Sequence, residues 1–406
     1  MMNANSDLLL LKACRICNGE LTEFFHYEAV PIAGTYLTES DLGKEPLLPL
    51  TATLCKNCGL IQLREIVPSS IYTSYRFMGT SSASYCAYLE QVAKSLITEQ
   101  DVRNKKVLEI GCSDGYLLKQ LREKGSNQVF GYEPSSQLQQ ACLESDIPVS
   151  GAFFSSDSLI ECPILPADVV IVRHVLEHVD DLHGFLDAVS AALAETGFLI
   201  IEVPDVEAIL SKGLYFHFYH EHLSYFSLIS LQRLLSQYGF NIIWHRMVSI
   251  HSGSLYVVCE HCHRTHPTDL ISSQVANNLE KICRAFATGM RVYLDKLHRI
   301  VEQQCAEGIR FAGYGAAHRT TIACSLAKMT RNHIKYLVDK NPYLHGFYTP
   351  GVHLPIYSPD RLYREPTDAI IIFATSFEEE IIKEQRAFRE AGGRFVSLLP
   401  EPRYLP

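Results

Sequence analysis

A glycine-rich turn directly after a short apolar strand constrains the fold of this chain more than any other feature. Residues 106–110 read Lys-Val-Leu-Glu-Ile, and the turn that follows contains Gly111 and Gly115 before a helix-like segment. In open α/β sheets such a turn lies at the carboxyl end of a strand, where glycine lets a ligand approach the backbone. The next predicted strand, residues 127–132, ends at Glu133, which places a carboxylate near the ribose hydroxyls of a bound nucleoside. The spacing is GxxxG rather than the GxGxxG of dinucleotide-binding turns.

The composition and charge exclude several classes of protein. The chain has 406 residues, 47% of them hydrophobic and 20% charged, which is ordinary for a globular protein of two or three domains. Its net charge of -9 and the lack of a basic aromatic stripe argue against nucleic-acid binding. No apolar run approaches the roughly 18 residues of a membrane span, and the N-terminus lacks the basic region of a signal peptide. We therefore expect a cytoplasmic protein with no nucleic-acid or membrane partner; the sequence does not predict its oligomeric state.

The order of sequence patterns predicts an α/β protein of three domains, at residues 1–75, 76–248 and 249–406. The first has cysteine pairs and short β-like runs, while the second alternates helix and strand patterns. The third has a second glycine-rich turn, at 313–315, and Asp339 ends its next strand as Glu133 does in the second domain. Further predicted elements are helices at 83–97 and 269–307 and strands at 168–172, 197–203, 310–313, 336–338 and 369–373.

Two CxxC pairs predict a metal site in the first domain. Cys14 and Cys17 form one pair, and Cys55 and Cys58 form the other. Four thiolates with this spacing complete a closed tetrahedral zinc site, which stabilises a small domain and leaves no open position for chemistry. A third CxxC pair, at 259–262, lies in a His-rich turn without a second pair, so a metal there is the weaker interpretation.

Three motifs in the second domain, taken in order, resemble those of the class I S-adenosylmethionine-dependent methyltransferases. They are E-x-G-x-x-x-G at 109–115, the acidic end of the next strand at Glu133, and L-E-H-V at 176–179. The resemblance implies a Rossmann-like core that binds S-adenosylmethionine. The residues expected at the cofactor are Glu109, Gly111, Asp114, Gly115, Glu133 and Ser82.

The segment from 215 to 226 is unusually rich in aromatic side chains and histidine. Its six aromatic residues and three histidines are too polar for an ordinary strand and too aromatic for a solvated loop. One interpretation is an active-site wall that supplies a general base, and the other is an aromatic core with hydrogen-bonded histidines. An imidazole suits the base because its unperturbed pKa of about 6.5 lies near neutrality. Spacing alone does not choose between His220 and His222.

With this segment included, the whole chain resembles the sugar C-methyltransferases of deoxysugar biosynthesis. The resemblance rests on the cysteine pairs, the methyltransferase motifs, Y-H-E-H-L-S-Y-F at 219–226, and G-Y-G-A-A at 313–317 with V-D-K-N-P at 338–342. It implies methylation at C3 of a nucleotide-linked 4-keto hexose. A base removes the proton next to the ketone, and the enolate carbon attacks the methyl group of S-adenosylmethionine. Because such a C–H is a feeble acid, this chemistry needs a positioned base and stabilisation of the enolate oxygen.

The resemblance also assigns roles to individual residues of the His-rich segment and its surroundings. His222 is the expected base, and Glu221 is expected to orient it or to hold the sugar. Tyr219 and His178 are expected to donate hydrogen bonds to the ketone or enolate oxygen. A nucleotide-diphosphate sugar is therefore the expected partner of this site.

Two regions depart from the family pattern. Phe77 stands where the family often has a second tyrosine, which leaves Tyr75 as the candidate that closes over cofactor and sugar. After the second glycine-rich turn the family usually has Lys-Gly-Asn, whereas Arg319 stands in this region and is expected to supply the positive charge. His251 and Tyr314 are the other residues expected to bind the sugar nucleotide.

Other functions remain open at the level of the sequence. The second glycine-rich turn could serve an NAD-dependent sugar-nucleotide oxidoreductase, although a GxG turn alone is a weak signal. The core could also methylate another small molecule, or RNA held by a zinc knuckle, but the net charge of -9 argues against RNA. A zinc-stabilised scaffold without activity is disfavoured, because residues 109–115 and Glu133 together predict a cofactor site.

Overall fold

The computed structural model describes residues 8–74, 79–261, 270–365 and 367–405. Within these ranges the chain forms an α/β protein with four β-sheets, arranged as three successive regions. None of the described helices is both long enough and apolar enough to cross a membrane.

The N-terminal region is a small antiparallel sheet next to the cysteine pairs. Its strands are β1 (Leu9–Leu10), β2 (Leu21–Pro31), β3 (Leu47–Cys55), β4 (Ile61–Leu63) and β5 (Glu65–Ile66). β2, β3 and β4 pair in that order, and β4 also pairs with β11 (Ser224–Tyr225) from much later in the chain. β1 and β5 form a separate two-stranded sheet. Backbone hydrogen bonds therefore attach the end of the His-rich segment to the N-terminal sheet.

The middle region is built on a seven-stranded sheet with the order β12-β13-β10-β9-β6-β7-β8. Its elements are α1 (Ala83–Thr98), β6 (Lys106–Ile110), α2 (Tyr116–Gly125), β7 (Gln128–Tyr132), α3 (Ser136–Glu144), β8 (Val149–Ser150), β9 (Ala167–Arg173), α4 (Leu182–Ala192), β10 (Leu193–Pro204), α5 (Val206–Ser211), α6 (Leu228–Ser236), β12 (Phe240–Val248) and β13 (Ser254–His261). The five strands from β10 to β8 are parallel. Leu108 and Val107 are both wholly buried but belong to different apolar clusters, because helices cover both faces of the parallel strands.

The sheet extends past the domain boundary predicted at residue 248. β13 pairs antiparallel with both β10 and β12, so residues 254–261 complete the middle sheet. The pairing of a strand depends on partners distant in the chain, so sequence patterns did not show the full extent of this sheet. Cys259 is fully buried in β13. Cys262 and residues 263–269 of the predicted His-rich turn lie outside the described residues.

The C-terminal region is a second α/β unit that follows one long helix. Its elements are α7 (Ser273–Ala306), β14 (Phe311–Tyr314), α8 (His318–Leu326), β15 (Ile334–Val338), β16 (Ile356–Tyr357), β17 (Ala369–Ile372), α9 (Glu378–Glu384), α10 (Arg386–Glu390), β18 (Arg394–Ser397) and β19 (Arg403–Tyr404). The strand order is β16-β15-β14-β17-β18-β19. Phe286 and Met290 of α7 share one apolar cluster with Phe25 of β2 and Phe311 of β14, so the helix joins the N-terminal and C-terminal sheets. The predicted long helix and the predicted strands of this region are confirmed with shifted ends.

Candidate active site

The four cysteines predicted as zinc ligands converge on one point. The Sγ atoms of Cys14 and Cys58 are 3.4 Å apart, as are those of Cys17 and Cys55, and all four sulfurs lie within 4.8 Å of one another. A tetrahedral zinc site with Zn–S bonds of about 2.3 Å has S–S edges of about 3.8 Å. The cluster therefore fits a closed structural zinc site.

The turn after β6 requires its two glycines for different reasons. Gly111 and Gly115 have φ angles of +69° and +74°, a left-handed conformation that costs an L side chain about 1–2 kcal/mol. A Cβ at Gly111 would overlap the Cγ2 methyl of Val175, and one at Gly115 would lie 3.2 Å from Cys142 Sγ. Gly111 lines a cavity and leaves its backbone accessible there, whereas Gly115 lies outside the cavity lining and shapes the start of α2.

Glu133 ends β7 and faces the glycine-rich turn. Its two carboxylate oxygens accept hydrogen bonds from the backbone N–H groups of Ser113 and Ser135, each at 2.9 Å. Burial raises the pKa of Glu133 to about 7. Each oxygen retains a second lone pair, so the carboxylate can still accept from the hydroxyls of a ribose.

Two further carboxylates stand at the same edge of the sheet. Glu109 is buried, burial raises its pKa to about 8, and its nearest cation is Arg173, 3.7 Å away. Asp114 accepts a hydrogen bond from the Thr80 hydroxyl, which ties the turn to the segment before α1.

A single cavity of about 670 Å³ joins this edge to the His-rich segment and to the C-terminal region. The residues predicted from sequence that line it are Glu109, Gly111, Asp114, Glu133, His178, Tyr219, His222, His251 and Arg319. The structure thus brings together most of the candidates for cofactor, catalysis and substrate in one space.

His222 lies in this cavity with its ring held by Tyr219. The Tyr219 hydroxyl is 2.6 Å from His222 Nε2, and the two rings are 4.1 Å apart. Nδ1 of His222 has no hydrogen-bond partner among the described residues. Burial and the neighbouring imidazole of His178 hold the pKa of His222 well below its usual value, so the ring is neutral at neutral pH.

His178 faces His222, with ring centroids 4.8 Å apart. Its Nδ1 is 2.6 Å from the backbone carbonyl of Glu221, and a carbonyl can only accept, so Nδ1 carries the proton. Burial lowers the pKa of His178, so the neutral ring presents Nε2 as an acceptor. This differs from the donor role expected from sequence, because the tautomer is set by a carbonyl that sequence patterns do not locate.

Glu221 and His220 lie outside the cavity lining, although both were candidates. Glu221 Oε1 accepts a hydrogen bond from the Gly34 N–H, and burial raises the pKa of Glu221 to about 7. His220 Nε2 is 2.9 Å from the Pro49 carbonyl. Both side chains therefore attach the His-rich segment to the N-terminal sheet, and of the two histidines left open by spacing only His222 reaches the cavity.

Two other candidates lie away from the cavity lining, and a third lies outside the described residues. Ser82 caps α1, accepting from the Tyr85 N–H at 3.4 Å, and donates to Glu380 at 3.1 Å. Tyr314 packs in the apolar cluster on the far face of the C-terminal sheet, because alternate residues of β14 point to opposite faces. Tyr75 lies outside the described residues, and so does Phe77.

A buried charge network behind the cavity was not predicted. Glu202 on β10 is 2.8 Å from Arg173 Nε and 3.2 Å from His174 Nε2, and Tyr88 donates to it at 2.8 Å. Although burial alone would lower the pKa of His174, hydrogen bonds to Glu177 and Glu202 raise it to about 9. His174 is thus a partly buried cation at the cavity wall, and the adjacent R-H and E-H pairs at 173–178 were the only sequence signal for it.

Glu177 adds a third group beside the two imidazoles. It is 1% exposed, and one ligand atom from each of Glu177, His178 and His222 lies within 4.8 Å of the others. This trio was not predicted from sequence, because it forms across separate segments of the chain.

The C-terminal region supplies the opposite wall of the cavity. Arg319 lines it near the N-terminus of α8, 3.3 Å from the Ser376 hydroxyl. His251 enters from the loop before β13, with its ring 4.8 Å from that of His174. Asp339 accepts from the backbone N–H of Ala316 at 2.7 Å, as Glu133 does from the first glycine-rich turn, so the two α/β units are alike locally.

Comparison with known proteins also divides the chain into three parts, and the third match begins at residue 249, before β13 of the middle sheet. Residues 14–72 match the family "Putative zinc binding domain", residues 81–245 match "Methyltransferase domain", and residues 249–400 match "C-methyltransferase C-terminal domain".

Similar proteins include one that matches the chain over nearly its full length. The chain is 27% identical to C-methyltransferase NovU of Streptomyces niveus over 97% of this chain and 96% of that protein. It is 30% identical to a ubiquinone biosynthesis O-methyltransferase of Rhodopseudomonas palustris over 29% of this chain and 45% of that protein. Among solved structures, a magnesium protoporphyrin IX methyltransferase of Synechocystis is 18% identical over 44% of this chain and 83% of its own, with a TM-score of 0.35.

The middle sheet, its glycine-rich turn and the carboxylate after the next strand define a class I S-adenosylmethionine-dependent methyltransferase. The matches to the methyltransferase and C-methyltransferase C-terminal domains identify the chain as an S-adenosylmethionine-dependent C-methyltransferase. Its four-cysteine cluster fits a structural zinc site.

Proposed function

We propose that the protein methylates C3 of a nucleotide-linked 4-keto-deoxyhexose through an enolate, in the biosynthesis of a branched-chain deoxysugar. The observation that carries the proposal is the single cavity that joins the turn at Gly111 and Glu133 to Tyr219 and His222. The full-length similarity to C-methyltransferase NovU supports transfer to carbon rather than to oxygen.

The cofactor fits the edge of the middle sheet. Gly111 has no side chain, and a Cβ there would collide with Val175, so its backbone stays open to the cavity. Glu133 offers acceptor lone pairs for ribose hydroxyls. S-adenosylmethionine supplies an electrophilic methyl group when bound. The protein holds it in line with the acceptor carbon, which is the main requirement for methyl transfer.

The proton next to the ketone is removed by His222. Its low pKa keeps the imidazole neutral and able to take a proton, and the Tyr219 hydroxyl 2.6 Å from Nε2 fixes the orientation of the ring. The Tyr219 hydroxyl in turn donates to the ketone oxygen, where negative charge develops in the enolate. His178, with its proton on Nδ1, accepts a hydrogen bond at Nε2 from a sugar hydroxyl.

The nucleotide is held by the C-terminal wall. Arg319 is a half-buried cation close to the N-terminus of α8, and both attract a diphosphate. His251 adds a ring surface between this wall and the sugar.

The decisive experiment uses the full chain with S-adenosylmethionine and a nucleotide-linked 4-keto-6-deoxyhexose in deuterated water. We expect a carbon-bound methyl at C3 by NMR and mass spectrometry. His222→Asn should lower the methylation rate by about 10²- to 10⁴-fold, the usual contribution of a general base, without weakening cofactor binding.

His220→Gln is the matched control, since His220 belongs to the same segment but lies outside the cavity. It should retain most of the activity. Deuterium entering C3 at the wild-type rate in His222→Asn would place the base elsewhere. Cofactor binding without methylation or deuterium exchange on several nucleotide sugars would show that the substrate class is wrong.

A further inference from the structure

The two imidazoles that face each other in the cavity belong to separate segments of the chain. His178 ends a short 3-10 turn, and His222 lies just before β11. One backbone hydrogen bond, from Leu223 N–H to the Glu177 carbonyl at 2.8 Å, links the segments directly. A misplacement of about 1 Å between reacting groups can cost about 100-fold in rate, so the separation of these segments matters for catalysis.

Arg15, which lies between the two cysteines of the first zinc knuckle, connects both segments. Its Nη1 donates to the Ser224 hydroxyl at 2.7 Å, and its Nη2 donates to the carbonyls of Val179 and Asp180. Val179 directly follows the first imidazole, and Ser224 lies two positions after the second. Because a guanidinium is a rigid planar fork, one side chain holds both acceptors at a defined spacing.

The backbone of Arg15 is itself held firmly. Its N–H donates to Gln62 Oε1 at 2.9 Å, and its carbonyl accepts from His183 Nε2 at 3.0 Å. The flanking residues Cys14 and Cys17 are two of the four zinc ligands. Zinc binding therefore fixes the point from which the guanidinium reaches the catalytic segments.

The second knuckle provides a contrast at the equivalent position. Lys56 lies between Cys55 and Cys58, but its ammonium is 2.6 Å from Glu280 on α7, with 42% of its side chain exposed. Within the described part of the chain, Lys56 forms no ion pair or hydrogen bond with the segments that carry His178 and His222. β4, which follows the second knuckle, pairs with β11 through the backbone, but of the two equivalent side chains only Arg15 reaches both catalytic segments.

We propose that Arg15 is a positioning residue through which the first zinc knuckle sets the separation of His178 and His222. The proposal rests on the proposed function only in treating these two histidines as the groups that act on the sugar. The structural zinc site then has a second role besides stabilising its domain.

The test compares Arg15→Met with the matched variant Lys56→Met. Four quantities are measured: kcat for methylation, deuterium exchange at C3, the dissociation constant of S-adenosylmethionine, and zinc content. We expect Arg15→Met to lower kcat and C3 exchange together by about 10- to 100-fold, with zinc content and cofactor affinity unchanged. Lys56→Met should match the wild type in all four.

A third variant and a spectroscopic readout keep the test decisive. Ser224→Ala removes one acceptor of the fork and should lower kcat less, by about 2- to 10-fold, even if Arg15→Met fails to fold. The side-chain NMR signals of His178 and His222 should shift in Arg15→Met without substrate, so the positioning role is testable even where no sugar is methylated. Unchanged kcat and NMR signals in Arg15→Met, or a loss of zinc and cofactor affinity alongside kcat, would overturn the proposal.

Discussion

Gly111→Ala perturbs the cofactor turn in a way that can be worked out from the structure. The left-handed φ of +69° costs an alanine about 1–2 kcal/mol, and the overlap of its Cβ with Val175 adds about 1–3 kcal/mol for an overpacked site. We expect the free energy of unfolding to fall by about 2–5 kcal/mol. Because Val175 also lines the cavity, we expect S-adenosylmethionine to bind at least about tenfold more weakly.

Gly308→Ala is the matched control. Gly308 has a φ of +88° after α7, and a Cβ there would meet nothing within 4 Å. It should lose only about 1–2 kcal/mol, with cofactor affinity unchanged, since it carries the backbone strain without the overlap. Urea denaturation gives the stability and titration calorimetry gives the affinity.

The double variant Gly111→Ala with Val175→Ala separates the two contributions. Removing the Val175 methyl groups should recover the overlap cost but not the backbone strain, giving a non-additive cycle. Wild-type cofactor affinity in Gly111→Ala would refute the placement of the cofactor at this turn. Equal stability losses in Gly111→Ala and Gly308→Ala would refute the overlap argument.

Three further predictions address charge and metal. Glu202→Gln should cost about 3–5 kcal/mol in urea denaturation, because it removes the closer of the two carboxylates beside the buried Arg173 guanidinium; a loss below about 1 kcal/mol would contradict this. Since burial raises the pKa of Glu133 to about 7, this carboxyl loses its charge as pH falls through neutrality. Cofactor affinity should therefore weaken from about pH 8 to about pH 6 in the wild type and weaken less in Glu133→Gln, where only Glu109, whose pKa burial raises to about 8, still titrates at this edge of the sheet. Cys14→Ser should lower the zinc content, measured by atomic absorption, and abolish methylation. Cofactor affinity should persist, because the glycine-rich turn belongs to a different sheet from the cysteine cluster. Lost cofactor binding would show that the zinc site and the cofactor site are coupled.

Features encoded by short stretches of sequence were predictable. The strand at 106–110, the turn at Gly111, the four zinc ligands and the long helix all follow from local patterns of apolar residues, glycine and cysteine. Each such pattern has a physical cause within a few residues, such as a left-handed φ or a helical repeat. Sequence was therefore sufficient for the fold class, the glycine-rich turn and the four-cysteine cluster.

The positions and hydrogen-bond partners of the histidines were decided only by tertiary structure. His220 and His222 look alike in sequence, but the Pro49 carbonyl draws one toward the N-terminal sheet while Tyr219 holds the other in the cavity. The proton on His178 is likewise placed by a carbonyl 43 positions away in the chain. Hydrogen-bond partners, tautomers and pairings such as that of β13 arise from segments distant in sequence, so no local pattern contains them, and they became visible only once the chain was folded.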